Sequence, residues 1–283
     1  MPWPPHTPPR IDRAGSVELE RHIDGIAGFL GGTANVIMQL SAPPVGRGVV
    51  ESTVDSGKVM LHPIKRLRTT LTYLSVTLLG TDAERAAYRQ AVDVAHRPVR
   101  SGASSPVRYN AFDPTLQLWV AACLYWGAKD LYERMHGPMD DATADAFFHL
   151  GARMGTTLQM PHTLWPANRR DFDEYWARQL ANTSIDPTVR AYLHDLVDLR
   201  MLPRPVQLAF GRMHRFVVTG LLPAHLRCEM GLTWSQREDQ VLDHVLRTLG
   251  AASAALPQPI RVFPYNAYLL DMRLRRRLGR PLV

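Results

Sequence analysis

Two chemical forms of helix start recur along this chain. One is the capping box, Thr81-x-x-Glu84 and Ser235-x-x-Glu238, in which a hydroxyl and a carboxylate reciprocally satisfy amides at a helix N-terminus. The other is Asp113-Pro114 and Asp186-Pro187, a capping carboxylate followed by a residue that has no amide hydrogen to leave unpaired. Between such starts apolar residues return every three or four positions, and no alternating strand pattern persists. The combination predicts an all-α fold, a single multi-helix domain.

The expected helices follow from this punctuation. Over 18–30, Leu19, Ile23, Ile26 and Leu30 form one stripe. Gly31-Gly32 is expected to break it, and Thr33 to cap a short helix to about residue 40. Residues 43–57, rich in Gly, Val and Ser, read as a long connection of the kind that covers a cofactor or serves function. Pro63 opens a helix with the stripe Ile64, Leu67, Leu71, Leu74 and Leu78, closed by Gly80. The Thr81 box opens a helix that runs past His96 to Pro98. Asp113-Pro114 opens one that runs to His136 and stops at Gly137-Pro138. Its mid-helix Gly127 implies a close neighbour, either another helix or a cofactor. Further helices are expected at 142–158, 168–181, 187–199, 205–221 and 235–249. The chain divides into a disordered proline-rich lead at 1–15, one helical domain at 16–250, and a basic segment at 251–283 that packs on it.

With 46% apolar and 21% charged residues in 283, a sizeable core is affordable. No apolar run reaches membrane-span length, and the lead MPWPPHTPPR lacks the apolar stretch of a secretory signal. Cys123 and Cys228 lie far apart, and Cys123 sits among apolar neighbours, which favours a buried free thiol and a reducing cytoplasm. The net charge is +7, much of it in 261–280. That basic tail leaves three readings open: an anionic membrane surface, nucleic acid, or a solvated helix that clamps an acidic cofactor. No nucleic-acid fold motif or interleaved aromatics accompany it, so no nucleic acid is expected. His-Glu-x-x-His, Cys-x-x-Cys, Gly-x-Gly-x-x-Gly, Gly-x-Ser-x-Gly and a phosphate loop are all absent. His22 and Asp24, two apart on a helix, face different ways and make no iron triad.

One histidine stands out. Tyr88, Val92, His96 and Val99 fall at spacings of four, four and three, which puts His96 on the apolar stripe of its helix. An imidazole there suits an axial ligand of a buried haem, with arginines in reach of the propionates. It equally suits a core histidine bonded to a carbonyl.

A set of ordered motifs bears on that choice. They are Arg66, Thr70 and Leu71; Gly80-Thr81; His96; Tyr109, Ala111, Asp113 and Pro114; and Leu116, Leu118, Trp119 and Val120. Upstream stand Gly31-Gly32, Gln39 and Pro44, and downstream Leu222-Pro223, Leu226-Arg227 and Trp234-Ser235. Over about 25–240 this pattern resembles the MpaB and latex-clearing-protein family of haem b oxygenases. The resemblance implies a globin-like helical core and haem b, with His96 as proximal iron ligand. It implies Arg66 as a charge partner and Thr70 as a hydroxyl donor lining the pocket, both candidates for catalysis, with Arg68 an alternative to Arg66 in register. Arg100 would stand near a propionate, and Arg227 would be a further cofactor contact. Thr69 occupies the place where latex-clearing proteins carry a distal lysine, which leaves a lysine-ligated state and a polyisoprene substrate without support. Tyr109 and Trp119 read as packing residues. The implied activity is oxidation of an apolar or specialised-metabolite substrate by dioxygen or peroxide, in the cytoplasm or at a membrane surface. A haem carrier or sensor without turnover, and a haem-free basic protein on an anionic surface, remain alternatives.

Overall fold

The computed structural model describes residues 22–283; the proline-rich lead and the helix start expected at residue 18 lie outside the described residues. Thirteen α-helices follow among them: α1 (Gly25–Leu40), α2 (Pro43–Val50), α3 (Pro63–Leu79), α4 (Asp82–His96), α5 (Pro114–His136), α6 (Asp141–Thr156), α7 (Arg169–Ala181), α8 (Pro187–Val197), α9 (Arg204–Leu221), α10 (Ala224–Glu229), α11 (Gln236–Ala254), α12 (Gln258–Arg261) and α13 (Tyr265–Arg277). The described residues contain no strand, only an isolated bridge between Arg100 and Asn110. The fold is a single all-α domain.

The caps form as expected. Thr81 and Glu84, and likewise Ser235 and Glu238, make complete capping boxes. The carboxylates of Asp113 and Asp186 accept from amides of their own first turns. These are contacts within four residues, so the sequence alone carries them.

α5 is the centre. Gln117, Leu118, Trp119, Ala121, Ala122, Cys123, Tyr125, Leu131 and Met135 are all buried, more than one stripe can hold, and α1, α6 and α11 pack around the helix. A helix apolar on most of its circumference belongs inside. Aromatic rings hold α7 to it: Trp176 stacks between Trp119 and Trp126, with centroids at 5.3 and 4.9 Å, and Phe172 meets Tyr125 edge-on at 4.7 Å. Gly127 admits another helix and not a cofactor, since an added Cβ would press on Asn35 and Met38 of α1. Cys123 is a buried free thiol, as expected.

Three expectations fail. Gly31-Gly32 does not break the first helix. α1 continues through both glycines, Asp24 supplies its cap, and the Thr33 hydroxyl meets His214 Nε2 at 3.0 Å. Packing explains this: Gly25 and Gly28 lie hard against Phe263 and Tyr265, and Gly31 against Leu131, so tertiary contact outweighs the poor helix propensity. The connection at 43–57 is largely helix, α2 followed by a single 3-10 turn at Asp55–Gly57. Its Gly46 fits under the Leu40 carbonyl and its Gly48 against the Tyr109 ring. Finally, the stripe of α3 is buried only at its far end. Leu71 is in the core, but Ile64 is 74% and Leu67 41% exposed.

α13 lies along α3. Tyr265, Leu269 and Met272 form its buried face, in clusters with Leu71, Val76 and Tyr88. Arg273 clamps Glu84 of α4 at 2.7 Å, and Arg68 of α3 donates to the Leu282 carbonyl at 3.1 Å.

Two predictions follow from these contacts. Gly250 of α11 sits so close to the Met135 carbonyl that a Cβ would collide with backbone, whereas a Cβ at Gly32 meets nothing within 4 Å. By propensity alone both Gly→Ala changes should stabilise, by up to about 1 kcal/mol. Gly250→Ala is instead expected to destabilise by about 1–3 kcal/mol, and Gly32→Ala to stabilise, read as opposite shifts of the urea midpoint. The second prediction concerns acid. The Arg273 hydrogen bond, aided by Thr81 and opposed by burial, holds the Glu84 carboxyl below its ordinary 4.5. Between the two values the unfolded chain binds the extra proton. The contribution is therefore complete above about pH 4.5 and is lost as pH falls through the lowered folded value. Glu84→Gln should melt lower than wild type at neutral pH, with the gap closing in acid.

Candidate functional site

His96 is the last residue of α4. The helix reaches it because the Thr81–Glu84 box sets the start and Tyr88, fully buried, sets the face, its hydroxyl donating to the Thr69 carbonyl at 2.8 Å. After His96 the chain turns into a narrow hairpin. The Ala111 amide donates to the Val99 carbonyl at 3.0 Å, and the Ser101 amide to the Tyr109 carbonyl at 2.9 Å. The pairing returns Phe112 to His96, ring edge to face with centroids 6.4 Å apart.

The imidazole is placed with one nitrogen unclaimed: Nδ1 is buried and has no hydrogen-bond partner among the described residues. Burial, and then the charge of Arg66, hold its pKa below the ordinary 6.5, while Asp93 pulls weakly the other way. The ring is therefore neutral at pH 7, the form in which a histidine can ligate a metal. A metal-ligating histidine commonly donates its second nitrogen to a carbonyl or carboxylate. Among the described residues neither nitrogen of His96 does so. The carboxylate in position, Asp93 one turn back, is instead engaged by the Gln159 side-chain amide.

Arg66 is where α3 meets this centre. Its charge bears on His96, on Tyr88 and on Tyr192 of α8. Arg68, the alternative in register, is turned to Leu282. The two arginines are two positions apart and so sit on different sides of the helix. Thr70, one turn beyond Arg66, is exposed, as is Arg100, whose backbone lies in the hairpin bridge. Neither side chain is bonded to His96 among the described residues.

The guanidinium of Arg227 lies over the Trp234 ring at 5.9 Å. The Trp234 indole donates to Asp239 at 3.1 Å, and Asp239 also accepts from Arg134 at 3.1 Å. Arg134 is near the end of α5, and Phe112 and His96 are at its beginning. Twenty residues of helix span about 30 Å, so Arg227 belongs to the opposite end of the domain from His96. Tyr109 and Trp119 pack as expected, with polar tips satisfied by Glu51 at 3.0 Å and by the Gln39 carbonyl at 3.1 Å.

The sequence reading missed a buried amide network beside the histidine. Gln117 donates to the Ala111 carbonyl at 2.9 Å and to the Gln159 side chain, and its Oε1 accepts from the Gln159 amide at 2.9 Å. Gln159 in turn donates to Asp93. The network ties α4, the start of α5 and the turn after α6 together around His96. Its signals were present: a glutamine between Leu116 and Leu118 in an apolar run, and an acid three residues before His96, hence on the same side of the helix.

Chemically the arrangement offers one neutral nitrogen donor, an aromatic ring against it and a cation beside it. Among the described residues no group of three or more His, Cys, Asp and Glu could hold a metal ion. A haem needs only one axial donor, because its ring supplies the rest, and cations suit its propionates. His96 and Arg66 fit that demand. A cleft of about 590 Å³ lined by Glu84, Arg273, Arg276 and Arg277 is a separate feature, between α4 and α13.

The model of a family described as ER-bound oxygenase mpaB/B'/rubber oxygenase, catalytic domain, matches residues 19–254. Uncharacterized proteins of Mycobacterium tuberculosis and Mycobacterium bovis are each 51% identical over 250 residues, 88% of this chain and 98% of theirs. Among solved structures, latex clearing protein LCP in the closed state aligns with a TM-score of 0.46 at 14% identity, over 94% of this chain and 75% of that one. With its match covering most of the chain, the protein belongs to the mpaB and rubber oxygenase catalytic-domain family, a family of oxygenases.

Proposed function

We propose that this chain is a haem b-dependent oxygenase acting on an apolar or specialised-metabolite substrate, with His96 as the axial ligand. The observation that carries the reading is the buried, unpartnered Nδ1 of a neutral His96 beside Arg66. A buried polar atom without a partner costs about 1–3 kcal/mol, and coordination of the ring would give the site a use for it. The family match supports oxygenase chemistry in general terms.

In this reading bound haem supplies activation of the oxidant, dioxygen or peroxide. The chain's own residues do the rest. His96 holds the group, and the low basicity of its ring keeps it unprotonated at neutral pH. Asp93, fixed by Gln159 and Gln117, sets the last turn of α4 and hence the direction of the imidazole. Phe112 shields one side of the ring from water. Arg66 and Arg100 would neutralise propionates, and Thr70, one turn from Arg66 on α3, would offer a hydroxyl. The exposed Ile64 and Leu67 of α3 supply apolar surface nearby. Thr69, at the position where the resemblance would put a distal lysine, turns its hydroxyl to the Arg66 carbonyl at 3.1 Å, which leaves a polyisoprene substrate without support.

The test is the absorption spectrum of protein produced with added haem precursor. Wild type is expected to show a Soret band that shifts with dithionite, and His96→Ala to lose it while keeping its helical circular dichroism. Arg66→Ala should retain the band but release haem to apomyoglobin about tenfold faster, the range of a supporting-shell loss. A colourless wild type would sink the proposal. A Soret band without oxygen uptake across alkene and aromatic substrates would leave a haem carrier or sensor.

A further inference from the structure

The outer face of α13 has no use in the site above. Its inner face is committed to α3, but Leu270, Leu274 and Leu278, spaced by four, form a continuous stripe that is 61%, 55% and 56% exposed. A leucine stripe facing water is costly, and a contiguous exposed apolar patch marks a surface that meets something apolar. The charge around it says what. Arg277 flanks the stripe, Arg276 and Arg280 stand at the same end of the helix, and among the described residues no carboxylate lies within ion-pair distance of these three. Arg273 and Arg275, by contrast, are held by Glu84 and Asp271, each at 2.7 Å. Arg276 and Arg277 also line the cleft beside Glu84. Upstream of the helix, Ile260 and Phe263 are exposed as well.

We propose that α13 is a docking helix for an anionic phospholipid surface, with Leu270, Leu274 and Leu278 entering the headgroup–acyl boundary and Arg277 and Arg280 meeting the phosphates. Apolar side chains on one face with arginines beside them is the composition of a helix that lies in a membrane interface. Nucleic acid would engage the arginines but give the leucines no role. No helix among the described residues is long and apolar enough to cross a membrane, so contact through α13 would be peripheral. Because the inner face of α13 is already packed on α3, docking requires no unfolding. It would also orient the helix that carries Arg66.

The experiment is flotation of the full chain with phosphatidylcholine vesicles, with and without phosphatidylglycerol. Binding only to the mixed vesicles, weakened by salt, is expected. Leu270→Ser/Leu274→Ser should reduce it at least tenfold. Arg277→Ala and Arg280→Ala should each weaken it about fivefold. All four residues are exposed, so unchanged thermal melting of the variants separates lost docking from lost fold. Equal binding to both vesicle types, binding to neither, or binding that survives the leucine changes would overturn the proposal. So would binding to duplex DNA that depends on the arginines alone.

Discussion

The structure depends on the complete burial of α5. A 23-residue helix with Leu, Trp, Ala, Cys and Tyr around most of its circumference cannot face water on any broad side, so the other helices are arranged as its cover. Each end of this rod then fixes a different polar assembly. At its beginning, Asp113 caps the helix, Gln117 reaches back to Ala111 and across to Gln159, and Phe112 is brought to His96. Near its end, Arg134, Asp239, Trp234 and Arg227 join α5 to α10 and α11. The candidate site is thus positioned by a rigid element rather than by the loops around it.

Its electrostatics follow from the same geometry. Burial disfavours the charged imidazole, Arg66 adds to that, and the one nearby acid that would oppose both is drawn off by Gln159. The result is a neutral ring with a nitrogen left over. A stability argument alone would place a carbonyl there; a ligand site leaves it open. The family match over residues 19–254 supports oxygenase chemistry in general terms, whereas the proposal that haem is held at His96 rests on the few atoms around that ring.

Much of the helical layout was legible before any coordinates. The capping boxes, the Asp-Pro starts and the glycine stops Gly80 and Gly137 are short-range signals, and the helices begin and end at or within a few residues of them. The misreadings share one cause. Gly31-Gly32 reads as a break, and the glycine-rich stretch 43–57 as a connection, because glycine is a poor helix former. In the fold Gly31, Gly46 and Gly48 sit in tight contact with Leu131, the Leu40 carbonyl and the Tyr109 ring. In the candidate site, His96 and Arg66 could be picked out, one from its spacing and the other from resemblance. Gln117 and Gln159 could not be joined, because their partnership spans 42 residues and exists only after α6 has folded back on α5. The motif of Arg227 lies in the matching order along the chain, but order does not measure distance, and its contacts with Trp234 join the assembly near the end of α5.

What the sequence determined by itself is the fold class, the positions of most helix ends and the location of one imidazole on an apolar stripe, because each rests on contacts within about one turn. Tertiary structure alone decided which arginine faces that imidazole, that Asp93 is claimed by an amide, that α1 runs unbroken, and that the leucines of α13 are left in water. Those outcomes are set by which surfaces meet across tens of residues, where steric fit and competition for partners outweigh local preference.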